Sequence, residues 1–168
     1  MKRFALLITL FCAVVCACAG PLAAQDNVPV PRWAVKAGGF FPIDSSLRKS
    51  TSSAWILFGA DYAIRRNAGG EVTGTIEYTR KSGSDIIALQ GIWKRTMSGA
   101  NPWYWGLGPG LYITSIQSHD TSKFGIPFLV GIDLNRNWFG EAKFNWVMGD
   151  IAPGTNASNF TVSIGYRI

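Results

Sequence analysis

Cysteine is missing from the chain beyond residue 18: Cys12, Cys16 and Cys18 are the only three, all inside one apolar stretch. If that stretch is removed, no thiol remains, which excludes disulfides and cysteine-based zinc sites as supports of the fold. Histidine is almost absent too, with His119 alone. One histidine and scattered carboxylates make a poor metal site, so neither a metal nor another cofactor is expected. Charged residues make up only 15% of the chain, and although the formal charge is +6, no basic cluster is interleaved with a nucleic-acid-binding motif. Nucleic acid is thereby set aside as a partner. After Gly20 no apolar run approaches the roughly 20 residues that a membrane-spanning helix needs. Any crossing of a bilayer by this part must use strands.

What is present begins with Lys2 and Arg3, an almost unbroken apolar run from Phe4 to Ala19, and a break at Gly20-Pro21. That order is the layout of a secretory signal peptide. Ala17-Cys18-Ala19 and Leu22-Ala23-Ala24 both offer small residues to a signal protease, and the polar Gln25-Asp26-Asn27 favours the second. Residues 1–24 are therefore assigned to a cleaved signal peptide, 25–31 to a short periplasmic segment and 32–168 to one folded domain. Lipidation of Cys18 competes with this cleavage, but Cys16 stands where a lipobox has a small or β-branched residue.

From Arg32 onward, eight segments alternate with period two: Arg32 to Phe41, Ala54 to Ile64, Glu71 to Arg80, Ile86 to Arg95, Trp103 to Thr114, Phe124 to Leu134, Trp138 to Val147 and Phe160 to Ile168. One parity is apolar or aromatic and the other is small, polar or charged, the signature of strands with two unlike faces. The polar parity carries Lys36, Asp61, Glu77, Lys94, Asp133, Glu141, Lys143 and Arg167, with both signs equally represented. A solvated surface has no need of such balance. A closed interior does, because each unpaired buried charge costs several kcal/mol. The pattern predicts an all-β, eight-stranded antiparallel up-and-down transmembrane β-barrel with charges inside, the reverse of a soluble barrel. Inward glycines are expected to leave room for the long charged side chains.

Aromatic residues collect at segment ends. Trp33, Tyr62, Trp93, Trp103, Trp138 and Tyr166 fall at one end, and Phe41, Tyr78, Trp146 and Phe160 at the other. Two such girdles are expected at two lipid–water interfaces. The connections predicted at the second end, Pro42 to Ser53, Lys81 to Asp85, Ser115 to Lys123 and Met148 to Asn159, are longer on the whole than Arg65 to Gly70, Thr96 to Pro102 and Asn135 to Asn137. Pro109 and Pro127 interrupt two strands, and a shared bulge would gather their missing donors into one place.

The final Ser163-Ile164-Gly165-Tyr166-Arg167-Ile168 resembles the assembly signal of outer-membrane barrels, with Gly165, Tyr166 and Ile168 at its key positions and isoleucine in place of the usual terminal aromatic. Trp33-Ala34-Val35-Lys36-Ala37-Gly38-Gly39-Phe40-Phe41-Pro42 and Gly106-Leu107-Gly108-Pro109-Gly110-Leu111-Tyr112 look like the first and fifth strands of OmpA-like and OmpW-like eight-stranded barrels. The resemblance implies a monomeric Gram-negative outer-membrane protein, delivered by the barrel-assembly machinery. Its partners would be membrane lipid and lipopolysaccharide.

Three functions compete within that frame. A structural or surface-interaction barrel would use its loops, with Arg48, Lys49, Arg80 and Lys81 placed to meet lipopolysaccharide phosphates. OmpW-like, porin-like passage of small apolar solutes would need a pocket near the outer end, for which Trp55 and Leu57 are candidates. A lipid A-modifying enzyme would need a base to activate a serine, and His119 is the only histidine available for it. It is expected in the middle of a flexible loop. A non-enzymatic barrel with a plugged, salt-bridged interior is the preferred expectation, since eight strands enclose little more than their own side chains.

Overall fold

The structure is a computed structural model that describes residues 32–50, 53–97, 102–116, 119–152 and 154–168. The expected signal peptide, Cys12, Cys16, Cys18 and the 25–31 segment lie outside the described residues. Strands β1 (Trp33–Pro42), β2 (Trp55–Asn67), β3 (Gly70–Lys81) and β4 (Ser84–Thr96) follow one another as antiparallel neighbours. The next position is shared end to end by β5 (Trp103–Leu107) and β6 (Gly110–Ile116). After β7 (His119–Asp133) and β8 (Trp138–Val147), the last long strand β11 (Asn159–Arg167) pairs with both β8 and β1. This closes an eight-position antiparallel barrel. Closure leaves no free sheet edge.

Side-chain alternation sets which face is which. Buried positions along β4 are Ser84, Ile86, Ala88, Gln90, Ile92 and Lys94, whereas Ile87, Leu89 and Trp93 stand on the outer side. The inward parity expected for the eight segments is the buried parity, with Leu111, of the outward parity but 2% exposed, as an exception. Tight turns follow from local chemistry. Ser82 (φ 50°) and Gly83 (φ 76°) both take the left-handed conformation that a two-residue hairpin between β3 and β4 demands. Between β7 and β8, Asn135 Oδ1 accepts from the backbone N–H groups of Asn137 (2.9 Å) and Trp138 (2.8 Å), an Asx turn.

Several boundaries differ from expectation. β2 and β3 extend until only Ala68 and Gly69 join them, and the register shifts between Ala63 and Arg65, so the bulge in this barrel lies at Ile64. The shared bulge expected at Pro109 and Pro127 does not form. Leu107 faces Phe128 and Gly110 faces Gly125, so the register runs on unchanged across the gap. The prolines do share one place: the Gly108-Pro109 break lies beside Pro127, and Gly91 still donates to the Pro109 carbonyl (3.0 Å). The Ser115 to Lys123 loop is mostly strand, because β6 and β7 pair as far as Ile116 and His119. His119 thus begins a strand and does not sit mid-loop.

The two long connections also carry structure. Residues Ser45–Ser50 form helix α1, and residues 148–158 contain the short strands β9 (Asp150–Ala152) and β10 (Thr155–Asn156).

Candidate functional site

The interior carries the chemistry, in three layers. At mid-height six of the eight predicted charges meet. Lys36 Nζ lies 3.0 Å from Asp61, 3.0 Å from Glu77 and 3.2 Å from Glu141. Lys94 Nζ reaches Glu141 (2.6 Å) and Asp61 (3.4 Å), and Lys143 Nζ reaches Glu77 (2.5 Å). Three lysines face three carboxylates, so this buried network is neutral. Its members come from β1, β2, β3, β4 and β8, and every ion pair except Lys36–Asp61, which joins the neighbours β1 and β2, ties strands that are not adjacent in the sheet. Lys36 fits because its neighbours in register are Gly59 and Gly165. A Cβ on Gly59 would come within 3.0 Å of both Lys36 Cε and Glu77 Cγ.

Neutral polar groups extend the network. Tyr104 donates to Glu141 (3.1 Å) and Thr75 to Asp61 (2.8 Å). Gln90 accepts from Lys143 (2.7 Å) and donates to Asn145 (3.0 Å), which also accepts from Tyr112 (2.8 Å) and donates to Asn159 (2.7 Å). Gln90, Lys143 and Asn145 are each 2% exposed or less, so the middle of the barrel is solid. Charge balance pointed to the six ions. The uncharged members were not singled out, although each occupies an inward position in its strand. The remaining predicted pair stands apart: Arg167 meets Asp133 (2.5 Å) at the end where the described chain begins and ends, hereafter the termini end. Half-exposed Arg66 and Glu71 add another pair there, which was not anticipated.

Toward the opposite, loop end the interior turns apolar. Phe40, Trp55, Leu57, Ile86, Tyr112, Ile116 and Val147 form one buried cluster, completed from outside the barrel wall by Leu47 of α1 and by Ile151 and Ala157. Asp44 starts α1 as its N-cap, accepting from Ser46 N (2.8 Å) and Leu47 N (3.1 Å), and its other oxygen accepts from Asn156 N (3.3 Å). One carboxylate thereby joins the two long connections over the mouth. Trp55 and Leu57 are packed filler in this plug, at 2% and 0% exposure, and line no pocket there.

Inward glycines do make room, but more for rings than for charges. A Cβ on Gly131 would run into the Tyr104 ring, one on Gly165 into Phe139, and one on Gly125 into Tyr112. At the termini end the lumen opens into a cavity of about 460 Å³.

Outside, the polarity is inverted. Ile56, Phe58 and Phe124 are each more than half exposed, and Val35, Ile76, Val130, Val162 and Ile164 are nearly so. Among the described residues, charges of the outward parity occur only near strand ends, as with Arg80, Asp85 and Arg95. At the termini end Trp33 pairs with Tyr62 (4.7 Å), Trp93 with Trp105 (5.3 Å) and Trp138 with Tyr166 (5.1 Å), while Trp103 is also exposed. Phe41 lies opposite Phe160 near the loop end, with Tyr78 and Trp146 exposed as well. No family model matches this chain, and no curated protein matches it in sequence.

Proposed function

We propose that this chain is an integral outer-membrane barrel, of the general OmpA-like or OmpW-like kind, whose plugged interior fits it for a structural or surface-interaction role. One observation carries the proposal: the barrel buries its charges and exposes its aliphatic and aromatic side chains. A water-soluble barrel with that surface would present an apolar belt far larger than the few hundred Å² that soluble monomers tolerate. In hydrocarbon the same belt costs nothing, and the aromatic rings above and below it lie where headgroups begin. Export through residues 1–24 and recognition of Gly165, Tyr166 and Ile168 by an assembly machinery belong to this proposal.

Within it, a water-filled pore has no support, since the middle of the lumen is filled. Passage of apolar solutes loses its candidate pocket, because Trp55 and Leu57 are sealed in the plug. Lipid A chemistry would rest on His119, whose backbone sits at the loop end of β7 paired with Ile116. At that same end Arg48 and Lys49 occupy the last turn of α1, and Arg80 lies 3.5 Å from Asp85. Arg48 and Lys49, with Lys81, are the cations we assign to lipopolysaccharide phosphates.

Sucrose-gradient fractionation tests the location: the protein should band with outer-membrane markers and resist extraction by high salt. Recovery in the soluble periplasmic fraction would refute it. Lipid A from cells with and without the protein should have the same mass spectrum, and a His119-dependent change in acylation would replace this proposal with the enzymatic one.

A further inference from the structure

Three threonines point inward along β3, and their hydroxyls fare differently. Thr73 donates to Glu71 (2.8 Å) and Thr75 to Asp61 (2.8 Å). Thr79 is 3% exposed, and among the described residues its Oγ1 is the one buried side-chain polar atom without a hydrogen-bond partner. Register explains the isolation: Thr79 stands opposite Leu57 on β2 and Ile86 on β4, both buried and apolar. It lies one inward step beyond Glu77, where the ion network gives way to the apolar plug. A hydroxyl buried there has lost its bonds to bulk water and gains none from its neighbours in the sheet, which is costly.

Thr79 also borders a cavity of about 10 Å³, which meets the lower bound of the roughly 10–15 Å³ that one water molecule needs. Phe40, Ile86 and Ala88 form its apolar side, and Glu77, Tyr112, Asn145 and Asn159 its polar side. The polar groups are bonded to one another without being saturated. The Tyr112 hydroxyl donates to Asn145 (2.8 Å) and accepts from Gln90 (3.0 Å), which leaves it a second lone pair. Asn145 Nδ2 donates to Asn159 Oδ1 (2.7 Å) and Asn159 Nδ2 to the Ala157 carbonyl (2.8 Å), each with one of its two hydrogens. Glu77 receives both of its lysines, Lys36 (3.0 Å) and Lys143 (2.5 Å), on the same oxygen, Oε1.

We propose that this cavity is a binding site for a single internal water molecule, anchored by Thr79 Oγ1. A buried water makes about three hydrogen bonds. Thr79 supplies one, and Tyr112, the two asparagines and Glu77 offer donors and acceptors for the others. The volume excludes any larger guest, and the polar side disfavours an apolar one. Bound in this way, the water ties Thr79 on β3 to Tyr112 on β6, Asn145 on β8 and Asn159 on β11. It thereby adds a tie across the lumen one level beyond the Glu77–Lys143 pair, joining the ion network to the plug.

A crystal structure of the protein, purified after expression of the full chain and at a resolution that shows ordered water, tests the site. A density peak is expected within hydrogen-bond distance of Thr79 Oγ1. Thr79→Val keeps the shape but removes the hydroxyl. It should lose the peak and shift the urea midpoint of unfolding downward, because Tyr112 and the asparagines then lose the bonds that the water supplied. Thr79→Ser keeps the hydroxyl and should keep the peak, and with the wild-type density it carries the test if Thr79→Val fails to fold. Density without a peak in the wild type, or a peak unchanged in Thr79→Val, would overturn the proposal. So would a higher midpoint for Thr79→Val, the result expected when a hydroxyl that binds nothing is replaced by a methyl group. These outcomes do not depend on where the barrel resides, so the site fails separately from the location.

Discussion

The two mouths of this barrel are built from the same eight strand positions and end up opposite in character. At the loop end, long connections fold back over the lumen, and Leu47, Ile151 and Ala157 complete an apolar plug begun by Phe40, Trp55 and Leu57. At the termini end the turns are short, as with Ala68-Gly69 between β2 and β3 and residues 134–137 between β7 and β8. Among the described residues no connection at that end crosses the lumen, and arginines and carboxylates line an open cavity. Connection length, more than strand sequence, decides which mouth is closed. Between the two lies the neutral ion network, a solid partition that separates a dry compartment from a wet one.

Breaking the partition should have the largest effect. Lys36→Met leaves three buried carboxylates to two lysines, and removing one partner of a buried ion pair costs about 3–5 kcal/mol. Urea unfolding of the detergent-solubilised barrel should show a loss of that size, and Lys36→Met with Glu141→Gln, which restores neutrality, should recover much of it. An unchanged unfolding midpoint in the single variant would mean that the network carries no net stability. Gly131→Ala comes next. Its new methyl group collides with Tyr104, and overpacking of this kind costs about 1–3 kcal/mol. Because Tyr104 also forms part of the cavity floor, this substitution should disturb the termini end while the plug keeps its protection in hydrogen exchange.

Asp44→Ala acts on the other mouth. Losing an N-cap costs about 1 kcal/mol, and here it also unties α1 from Asn156. Faster hydrogen exchange confined to residues 44–50 and 150–157 is expected, with no change around Lys36. The same latch gives a pH dependence. Burial opposes the charge on Asp44, but backbone N–H donation from Leu47, Asn156 and Ser46 outweighs it and holds the carboxyl below its ordinary range. A depressed carboxyl contributes stability that is full above the unfolded value of about 3.9 and is lost as pH falls through the folded value. Acidification below about pH 4 should therefore loosen the cap in wild type and leave Asp44→Ala unaffected. Protease nicking of the cap as a function of pH reads this directly.

The barrel was legible in the sequence because period-two alternation is a physical consequence of strand geometry, and equal numbers of inward charges of both signs are a consequence of burial. Lys36, Asp61, Glu77, Lys94, Glu141 and Lys143 are brought together for that reason. Arg167 and Asp133 share the parity but sit at strand ends, where they meet water, so parity alone could not tell them from the central six. The plug was not legible. Leu47 lies in a segment without strand periodicity, and its burial depends on how a loop folds over a mouth that exists only after closure. Asp44 before Ser45-Ser46-Leu47 was the available cue, as an N-cap residue preceding a short helix. Pro109 and Pro127 were placed together correctly, but an interrupted ladder satisfied them without an inserted residue, since Gly91 still finds the Pro109 carbonyl.

The inversion of polarity is best tested through tryptophan. Of seven tryptophans, Trp55 alone is buried inside, and Trp33, Trp93, Trp103, Trp105, Trp138 and Trp146 belong to the outward parity. Reconstitution into vesicles of brominated phosphatidylcholine should quench most of the fluorescence, and the unquenched remainder should vanish in Trp55→Phe. Emission unaffected by brominated lipid but readily quenched by aqueous acrylamide would place those tryptophans in water and contradict the membrane barrel.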